Sequence, residues 1–362
     1  PAKGATADAE PAPARLPPRS WKDHPAIVQL DWAGTIFAIG DGHGDYDRFA
    51  GLLVRAGLIK AVPADPGAVE WTGGDVVLVC TGDLIDKTPA QQPAGSLKLV
   101  RLMKRLREVA PAGHVIVTLG NHEATFLAYP DNSKVKDFVD QLSKAGLSVE
   151  SVVGGIGCDP TNPPEACQIG EFLRGLPFAA RVGRWFFAHA GNTDGWSIAE
   201  LTNLLESGVN RAGFAPVVDD PNSILQARLC SQKDIDARAA DGDDGPCSWW
   251  GDHPKRTLGD AVKALAVEHL VMGHQAGAVA FPSGRKRKSG ALFQKYGLVF
   301  LIDGGMSRNP KVGKSAGGVL RIDTAGGKAQ ASVLCARDKR GRATLIWSAN
   351  EKEDVAPEVI CK

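Results

Sequence analysis

The sequence predicts an α/β fold of layered type, in which central β-sheets are flanked by helices and the C-terminal part is rich in strands. Two observations support this prediction. Short apolar runs alternate with amphipathic stretches over most of the chain, and a series of apolar runs then follows without helical stretches between them. Alternating strands and helices, followed by consecutive strands, are typical of sheets covered by helices.

Each element is predicted from the spacing of its apolar residues. Apolar residues at intervals of three and four predict amphipathic helices, whereas short continuous apolar runs predict buried strands. The predicted helices are a segment from Phe49 to Ala56, Leu97–Val109, Lys134–Ala145, stretches near Ser197–Ser207 and Pro221–Leu229, and Thr257–Ala266. The predicted strands are Thr35–Ile39, Val76–Cys80, His114–Leu119, Trp185–Ala188, His269–Met272 and segments around Leu298–Ile302, Val319–Ile322, Ser332–Leu334 and Leu345–Trp347.

One folded domain is expected. Residues 1–20 are rich in alanine and proline and predict a flexible arm, residues 21–362 a single domain, and residues from about 148 to 168 an irregular insertion in it. The 42 lysines and arginines balance 41 aspartates and glutamates in a chain of 362 residues. This balance argues against a nucleic-acid partner, which needs many cations to neutralise its phosphates. The sequence also lacks an apolar run of about eighteen residues that could span a membrane.

The seven cysteines predict disulfide bonds and an oxidising location. Cys80 ends an apolar run and is expected to be a buried thiol. Six cysteines allow 15 pairings, so pairing of sequence neighbours is one alternative, and six unrelated thiols are another. The neighbouring pairs are Cys158/Cys167, Cys230/Cys247 and Cys335/Cys361. Because local disulfides are typical of exported proteins, we expect a periplasmic or secreted protein whose leader ended before Pro1 or within the arm.

Two further segments have both a functional and a plain structural interpretation. The charge run Arg285–Lys288 could attract an anionic partner, but a solvated hairpin loop is the favoured interpretation. Trp249 and Trp250 could form an aromatic wall of a cleft. Ordinary packing is favoured for them, because tryptophan buries a large apolar area.

Polar residues of metal-ligand type follow five of the predicted strands. The segments are Gly40-Asp41-Gly42-His43-Gly44, Gly82-Asp83-Leu84-Ile85-Asp86, Gly120-Asn121-His122-Glu123, His189-Ala190-Gly191 and Gly273-His274. Ligands of open α/β sheets gather at the carboxyl ends of strands, and buried polar groups are costly there without a partner. Each segment alone is a common turn or helix start. Their joint occurrence predicts a site for two metal ions.

These segments resemble the pattern of the calcineurin-like metallophosphoesterases, which reads GDxHG, GDxxDR, GNHE, a His-Gly-type segment and Gly-His. GDxHG together with GNHE is similar to the phosphoprotein-phosphatase branch. The segment Asp303-Gly-Gly-Met-Ser307 resembles one in the bacterial Shewanella-like protein phosphatases. The resemblance covers residues 40–307 and implies a layered metallophosphoesterase-type fold.

The resemblance implies a metal centre. Asp41 and His43 would hold one ion and Asp83 would bridge both ions. The second ion would be held by Asn121, His189 and His274. The ions would be manganese, iron or zinc, which mixed oxygen and nitrogen ligands suit.

The resemblance also implies a mechanism. A hydroxide between two metal ions would attack phosphorus in line, while the ions stabilise the attacking and leaving oxygens. His122 would protonate the leaving oxygen as general acid, and Asp86 would orient its imidazole.

The chain departs from the family pattern in two places. Lys87-Thr88 stands where the family has Arg-Gly, and lysine cannot make the planar contact of arginine with two phosphate oxygens. Lys87 therefore either neutralises the phosphate or points to solvent. Gln275 follows Gly273-His274, which favours the protein-phosphatase ligand set over that of the phosphodiesterases. Arginines near a motif that could bind phosphate are Arg48, Arg211 and Arg308.

The predicted function is that of a metal-dependent phosphomonoester hydrolase of phosphoprotein-phosphatase type with a phosphorylated protein as substrate. The alternative is a hydrolase of small phosphoesters or dinucleoside polyphosphates, because the diadenosine tetraphosphatases also carry GDxHG, GDxxDR and GNHE. A metal-binding module without catalysis is a third interpretation, which only Lys87 in place of arginine supports.

Overall fold

Two β-sheets lie face to face in the computed structural model, and helices cover their outer surfaces. The structure describes residues 19–159, 161–229, 253–281, 286–325, 329–337, 342–349 and 358–362. The predicted layered α/β class is confirmed, and the strands of the C-terminal part complete both sheets. Among the described residues, no helix is long and apolar enough to cross a bilayer.

The strands of the described residues form two large sheets and a small ribbon. In chain order they are β1 (Ile27–Leu30), β2 (Thr35–Ile39), β3 (Val77–Cys80), β4 (Val115–Val117), β5 (Ala179–Val182), β6 (Trp185–Ala188), β7 (His269–Met272), β8 (Val279–Ala280), β9 (Lys286–Arg287), β10 (Ala291–Lys295), β11 (Val299–Leu301), β12 (Gly318–Asp323), β13 (Gln330–Cys335), β14 (Thr344–Ser348) and β15 (Val359–Ile360). One sheet has the order β1-β5-β6-β7-β11-β10-β15 and the other β14-β13-β12-β2-β3-β4, while β8 and β9 form the ribbon.

The helices of the described residues lie mostly between strands in sequence. They are α1 (Tyr46–Arg55), α2 (Gly95–Val109), α3 (Asn121–Ala128), α4 (Lys136–Lys144), α5 (Val149–Gly154), α6 (Glu165–Arg174), α7 (Ile198–Ala212), α8 (Ala215–Asp219) and α9 (Pro254–Ala264), with a 3₁₀ turn at Pro66–Ala68.

Alternation along the central strands divides the core in two. In β2, Ile36 and Ala38 belong to the cluster between the sheets, whereas Phe37 and Ile39 belong to the cluster that includes the helices. Successive side chains of a strand point to opposite faces, so a strand that is apolar throughout fits a sheet covered on both sides.

Parallel pairing brings the ends of five strands together. The strands β2, β3 and β4 are parallel neighbours in one sheet, and β6 and β7 are parallel neighbours in the other. The polar segments identified in the sequence follow these five strands. The fold therefore places them at one edge of the two sheets.

The segment at about 148–168 contains helix, so the prediction of irregular structure was wrong. The Ser148 hydroxyl accepts a hydrogen bond from Ser151 N at 3.1 Å and caps α5, and α6 begins at Glu165. Arg174 on α6 donates to the carbonyls of Val152 and Val153 on α5. A helix of six residues is too short to show a helical period in its apolar residues.

The stretch near Pro221–Leu229 forms turns, so the predicted helix there is also wrong. Its backbone bonds to the residues that follow β6. Ala190 N donates to Ile224 O at 2.9 Å, and Asn192 Nδ2 donates to Asn222 O at 2.7 Å. The apolar residues that suggested a helix are buried by this packing instead.

The run Arg285–Lys288 is not the solvated loop that was predicted. Arg287 lies in β9 and its side chain is completely buried, at 0% exposure. Lys288 is exposed and pairs with Glu358 at 2.6 Å. Arg285 lies outside the described residues. A sequence of four like charges cannot show that one of them has partners inside the fold.

Two of the predicted disulfides are present, Cys158–Cys167 and Cys335–Cys361, with Cα–Cα distances of 5.7 and 5.2 Å. Cys80 is buried and free, as predicted. The remaining predictions on this point lie outside the described residues, namely the pair Cys230/Cys247 and the packing of Trp249 and Trp250.

Arg19 already packs on the fold, two residues before the expected start of the domain at Trp21. Its guanidinium donates to the carbonyls of His24, Arg174 and Leu176. The proline-rich composition of the arm hides this contact, because a single arginine has no pattern to detect.

Candidate active site

Histidine and aspartate side chains from both sheets meet at the shared edge. Two groups have ligand atoms within 4.8 Å of one another: His43, Asp83 and His122 form one, and Asp83, His189 and His274 form the other. All five side chains are buried. Asp83 belongs to both groups, and its two carboxylate oxygens could serve two cations at once.

Asn121 adds an amide group to the second set. Its Oδ1 lies 3.1 Å from His189 Nε2 and 3.1 and 3.2 Å from the two oxygens of Asp83. Two acceptors at this distance repel each other. The amide therefore either turns to donate to Asp83 or keeps its oxygen inward beside a cation, and the second arrangement makes Asn121 a metal ligand.

Asp41 lies outside these two groups but contacts His274. Its Oδ1 accepts from His274 N at 2.8 Å, while its Oδ2 is buried and has no hydrogen-bond partner among the described residues. Burial raises the pKa of Asp41, and the nearby Asp303 adds to this. A buried carboxylate oxygen without a donor is a suitable ligand for a cation.

The backbone of the site is held in the left-handed region. Non-glycine residues rarely adopt a positive φ, and such strain is concentrated at functional sites. The residues are Asp41 (56°), His43 (42°), Asp83 (52°), Asp86 (61°), Lys87 (51°) and His274 (68°). The chain also needs a glycine beside them, because a Cβ on Gly120 would collide with the backbone and carboxylate of Asp83.

Glu123 holds the loop that follows β3. Its Oε2 accepts from Asp83 N at 2.9 Å and from Gly120 N at 3.0 Å. Its Oε1 accepts from Leu84 N at 2.7 Å and from Ile85 N at 3.1 Å. One buried carboxyl group thus joins the ends of β3 and β4 and fixes the position of Asp83.

The histidines of the site differ in proton affinity. Burial lowers the pKa of His43 and of His122 to about 4 and that of His274 well below its ordinary value, so these rings keep a free lone pair at neutral pH. Burial opposes charge on His189, but Asp83 raises its pKa to about 9. Burial likewise opposes the charge of Asp83, yet His189 and His122 hold its pKa well below its ordinary value. The centre of the site therefore attracts positive charge.

Asp86 lies behind His122. The distance from His122 Nδ1 to Asp86 Oδ2 is 3.6 Å, and neither atom has another partner among the described residues. Phe138 N, in the first turn of α4, donates to Asp86 Oδ1 at 3.0 Å. Burial raises the pKa of Asp86 to about 8. A contact of this length is too long for a hydrogen bond, but such contacts tighten when substrate binds.

Of the four predicted phosphate-binding residues, only Lys87 is placed beside the site. It is exposed, and its charge contributes to the lowered pKa of His43 and His122. Arg48 donates to Met306 O at 2.7 Å. Arg308 pairs with Asp45 at 2.6 Å. Arg211 is exposed in the last turn of α7 and has no contact with the site among the described residues.

Sequence analysis missed the residues of 221–229 that line the site. Gln226 O lies 3.2 Å from His274 Nε2, and Gln226 Oε1 accepts from Asn121 Nδ2 at 3.3 Å. Arg228 is exposed. Burial is the largest cause of the lowered pKa of His274, and the charges of His189 and then of Arg228 lower it further. It forms no ion pair with any residue that the structure describes. No signal in the sequence singles out Arg228, because other arginines, Arg211 and Arg256 among them, also lie between His189 and His274.

Comparison with known families agrees with this geometry. A family model described as calcineurin-like phosphoesterase matches residues 34–277, about two thirds of the chain. The chain therefore belongs to the calcineurin-like phosphoesterase family, a metal-dependent family whose ligand types are those found at the shared edge of the sheets.

Curated relatives match over a limited stretch. An uncharacterised protein of Schizosaccharomyces pombe is 36% identical over 98 residues, which are 26% of this chain and 27% of the relative. Shewanella-like protein phosphatase 2 of Arabidopsis thaliana is 36% identical over 90 residues, 24% of this chain and 20% of the relative. The matched stretch thus spans about a quarter of these relatives.

Solved structures match over most of the chain. The cold-active protein-tyrosine phosphatase of a psychrophilic Shewanella species has a TM-score of 0.51 and 19% identity, covering 88% of this chain and 82% of that chain. A protein serine/threonine phosphatase of Saccharomyces cerevisiae has a TM-score of 0.51 and 15% identity, covering 93% and 88%. At this identity the two structures show a shared fold.

Proposed function

We propose that the protein is a metal-dependent phosphomonoesterase of phosphoprotein-phosphatase type, with a phosphorylated protein as substrate. The observation that carries the proposal is the pair of ligand groups that share Asp83, with His122 and Asp86 beside them. The matches to the Arabidopsis Shewanella-like protein phosphatase and to two protein phosphatase folds support it.

The buried polar side chains of the site fit two metal ions. The ligands would be Asp41, His43, Asp83, Asn121, His189 and His274. Asp41 Oδ2 is buried and has no hydrogen-bond partner among the described residues. Asn121 Oδ1 lies 3.1 and 3.2 Å from the oxygens of Asp83, and a cation between these oxygens would offset their repulsion. Carboxylate, amide and imidazole ligands suit manganese, iron and zinc alike. When bound, two such ions activate water as the nucleophile and stabilise the attacking and leaving oxygens.

His122 would act as general acid toward the leaving oxygen once the negative charge of a bound phosphate has raised its pKa from about 4 and the ring carries a proton. Its Nδ1 faces Asp86, so Nε2 is the nitrogen directed away from that carboxyl group and toward substrate. Asp86 would fix the orientation of the ring, and it is itself held by Phe138 N and by Ser96 Oγ, which accepts from Asp86 N at 3.0 Å. A positioned acid of this kind contributes roughly 10²–10⁴-fold to the rate.

Lys87 and Arg228 would bind the phosphate group. Lys87 acts electrostatically on His43 and His122, and Arg228 acts on His274, so the two cations stand beside opposite halves of the site. Both are exposed and could reach a substrate. Arginine can contact two phosphate oxygens in one plane, and this supplies the contact that Lys87 cannot make.

Parallel assays with and without Mn²⁺ test this function. The substrates are phosphoserine, phosphothreonine and phosphotyrosine peptides on one side and dinucleoside polyphosphates on the other. We expect Mn²⁺-dependent release of phosphate from peptides at a higher kcat/KM than any cleavage of the dinucleotides. Cleavage of the dinucleotides alone would show that the substrates are dinucleoside polyphosphates and not phosphorylated proteins. If protein that carries two ions turns over neither class of substrate, an enzymatic role is contradicted.

We also propose that residues 21–362 act as one catalytic domain in a periplasmic or secreted protein. The disulfides Cys158–Cys167 and Cys335–Cys361 support this location, because such bonds persist in oxidising compartments. Fractionation of cells that express the full natural protein tests it, and activity confined to the cytosol would contradict it.

A further inference from the structure

Arg287 is a buried cation outside the predicted ligand set. Its side chain is 0% exposed, and it forms no ion pair with any carboxylate of the described residues within 4.0 Å. Burial lowers the pKa of Arg287 to about 10, so the guanidinium stays charged at neutral pH. A buried charge is costly unless hydrogen bonds and opposite charges compensate it.

The guanidinium is compensated by four backbone carbonyls. Arg287 Nη1 donates to Gln275 O and, at 3.3 Å, to Gly277 O. Its Nη2 donates to Asp303 O at 2.5 Å, and its Nε donates to Ala291 O at 2.7 Å. These carbonyls belong to three segments, which follow β7, follow β11 and begin β10. One planar side chain therefore joins three stretches of backbone.

The first of these segments carries His274. The His274 backbone has a φ of 68°, and its ring Nδ1 lies 3.0 Å from His189 Nε2. The two carbonyls that Arg287 binds after β7 are one and three residues beyond His274. Without the guanidinium these partly buried carbonyls would lose a donor, and the turn that aims the imidazole would lose its support.

The charge of Arg287 also acts on the acidic side of the site. Asp303 and Asp41 are the two largest influences that favour its charged form. Asp41 Oδ1 in turn accepts from His274 N at 2.8 Å. The guanidinium thus offsets part of the negative charge of two buried carboxyl groups, Asp303 and Asp41.

We propose that Arg287 is a positioning residue of the half of the metal site that contains His274. The inference rests on the proposed function, since it assumes that His274 and Asp41 hold metal. Arg287 holds the backbone that follows His274, and its hydrogen bonds go to backbone carbonyls rather than to the predicted ligand side chains. A purely structural cross-link would stabilise the fold without changing the affinity for one metal ion more than for the other.

The experiment compares Mn²⁺ binding by wild type, Arg287→Lys, Arg287→Met and Arg174→Met. Arg174 is the matched control, because it also donates to two carbonyls, those of Val152 and Val153, but joins α6 to α5. Binding is followed by the electron paramagnetic resonance of free Mn²⁺ and by elemental analysis. Melting temperatures are recorded for each protein without metal.

We expect Arg287→Met to bind one of two Mn²⁺ ions about 10–100-fold more weakly, the range found when groups that orient metal ligands are removed. Arg287→Lys keeps the charge but not the planar set of donors, so it should fold and should weaken the same ion by a smaller factor. Arg174→Met should lower the melting temperature and leave the affinity for both ions unchanged.

Equal affinity of wild type and both Arg287 variants for two ions would overturn this inference while leaving the proposed function intact. Equal weakening in Arg174→Met would also overturn it, since the effect would then follow general stability. Wild-type protein that binds no Mn²⁺ would overturn the proposed function and this inference with it.

Discussion

Glu123 binds the backbone of Asp83, the residue shared by both ligand groups: Glu123 Oε2 accepts from Asp83 N at 2.9 Å. The same carboxyl group accepts from the N–H groups of Gly120, Leu84 and Ile85. Asp83, the predicted bridging ligand, is therefore held in place by a residue outside the predicted ligand set.

Glu123→Gln should lower the free energy of unfolding by about 2–6 kcal/mol. The substitution replaces one acceptor oxygen by an NH₂ group, which leaves two buried N–H groups without an acceptor at roughly 1–3 kcal/mol each. Urea denaturation of metal-free protein measures the change. Glu108→Gln is the control, because Glu108 is 42% exposed and pairs with Lys104 and Arg105 on the helix surface, and it should change stability by less than about 0.5 kcal/mol. Equal midpoints for the two variants would contradict the role of Glu123.

Asp83→Asn should lose both metal ions as well as turnover. An amide carries no charge and offers one acceptor oxygen where the carboxylate offers two, and Asp83 belongs to both ligand groups. Elemental analysis after dialysis, with p-nitrophenyl phosphate as substrate, measures both losses. A chelator should abolish wild-type activity and added Mn²⁺ should restore it.

The control for this variant is Asp75→Asn, because the Asp75 side chain is 90% exposed and lies before β3. It should keep two ions and full activity. Full metal occupancy of Asp83→Asn would show that Asp83 does not bridge the ions, and wild-type activity in metal-free protein would exclude a metal-dependent reaction.

His122→Ala should keep its metal ions and lose turnover. His122 lies within one ligand group, so the structure allows it to be either a ligand or an acid. An acid matters most for poor leaving groups, so the loss should approach roughly 10²–10⁴-fold for alkyl phosphates and peptides and be smaller for p-nitrophenyl phosphate. His114→Ala is the control, since His114 lies before β4 and packs edge-on against Trp32. Loss of one ion in His122→Ala would identify His122 as a ligand instead.

Protonation of His269 should make the fold less stable in mild acid. Its ring stacks on Trp185 with a centroid distance of 3.9 Å, and burial lowers the pKa of His269 to about 4. The unfolded chain therefore binds the proton first. The stabilisation is complete above an unfolded pKa of about 6.5 and is lost as pH falls toward 4, by up to about 3 kcal/mol.

The comparison of wild type with His269→Phe isolates this effect from other buried histidines. Urea midpoints are measured at pH 7.5 and pH 5. Wild type should lose about 2 kcal/mol more than the variant between these two values. Parallel loss in both proteins would show that His269 does not titrate in this range.

The ends of five strands could be predicted as the site because each was marked locally by an apolar run followed by a ligand residue. The same local signal identified Asp83 and His122 in neighbouring segments. Glu123 was visible in its motif, but three of its four hydrogen bonds reach back 38 to 40 residues, and no spacing in the sequence reveals those contacts.

Arg228 and Arg287 could not be predicted for a related reason. The role proposed for each depends on contacts with other segments: Arg228 lies in a turn packed on the residues after β6, and Arg287 binds carbonyls after β7 and β11. Composition treats such arginines as surface charges, because most arginines are exposed. Only the tertiary packing separates these two from Arg211, which is exposed on α7.

The disulfides give the last prediction. Mass spectrometry of unreduced, protease-digested protein should find Cys158 linked to Cys167 and Cys335 linked to Cys361. Alkylation of denatured, unreduced protein should then label Cys80 alone if Cys230 and Cys247 are bonded to each other, and three cysteines if they are not. Five or more labelled cysteines would contradict the disulfides and the proposed oxidising location. Cys335→Ser should cost about 3 kcal/mol of stability in the loop-entropy model, because the bond closes a loop of 26 residues that ties β13 to the segment after β15.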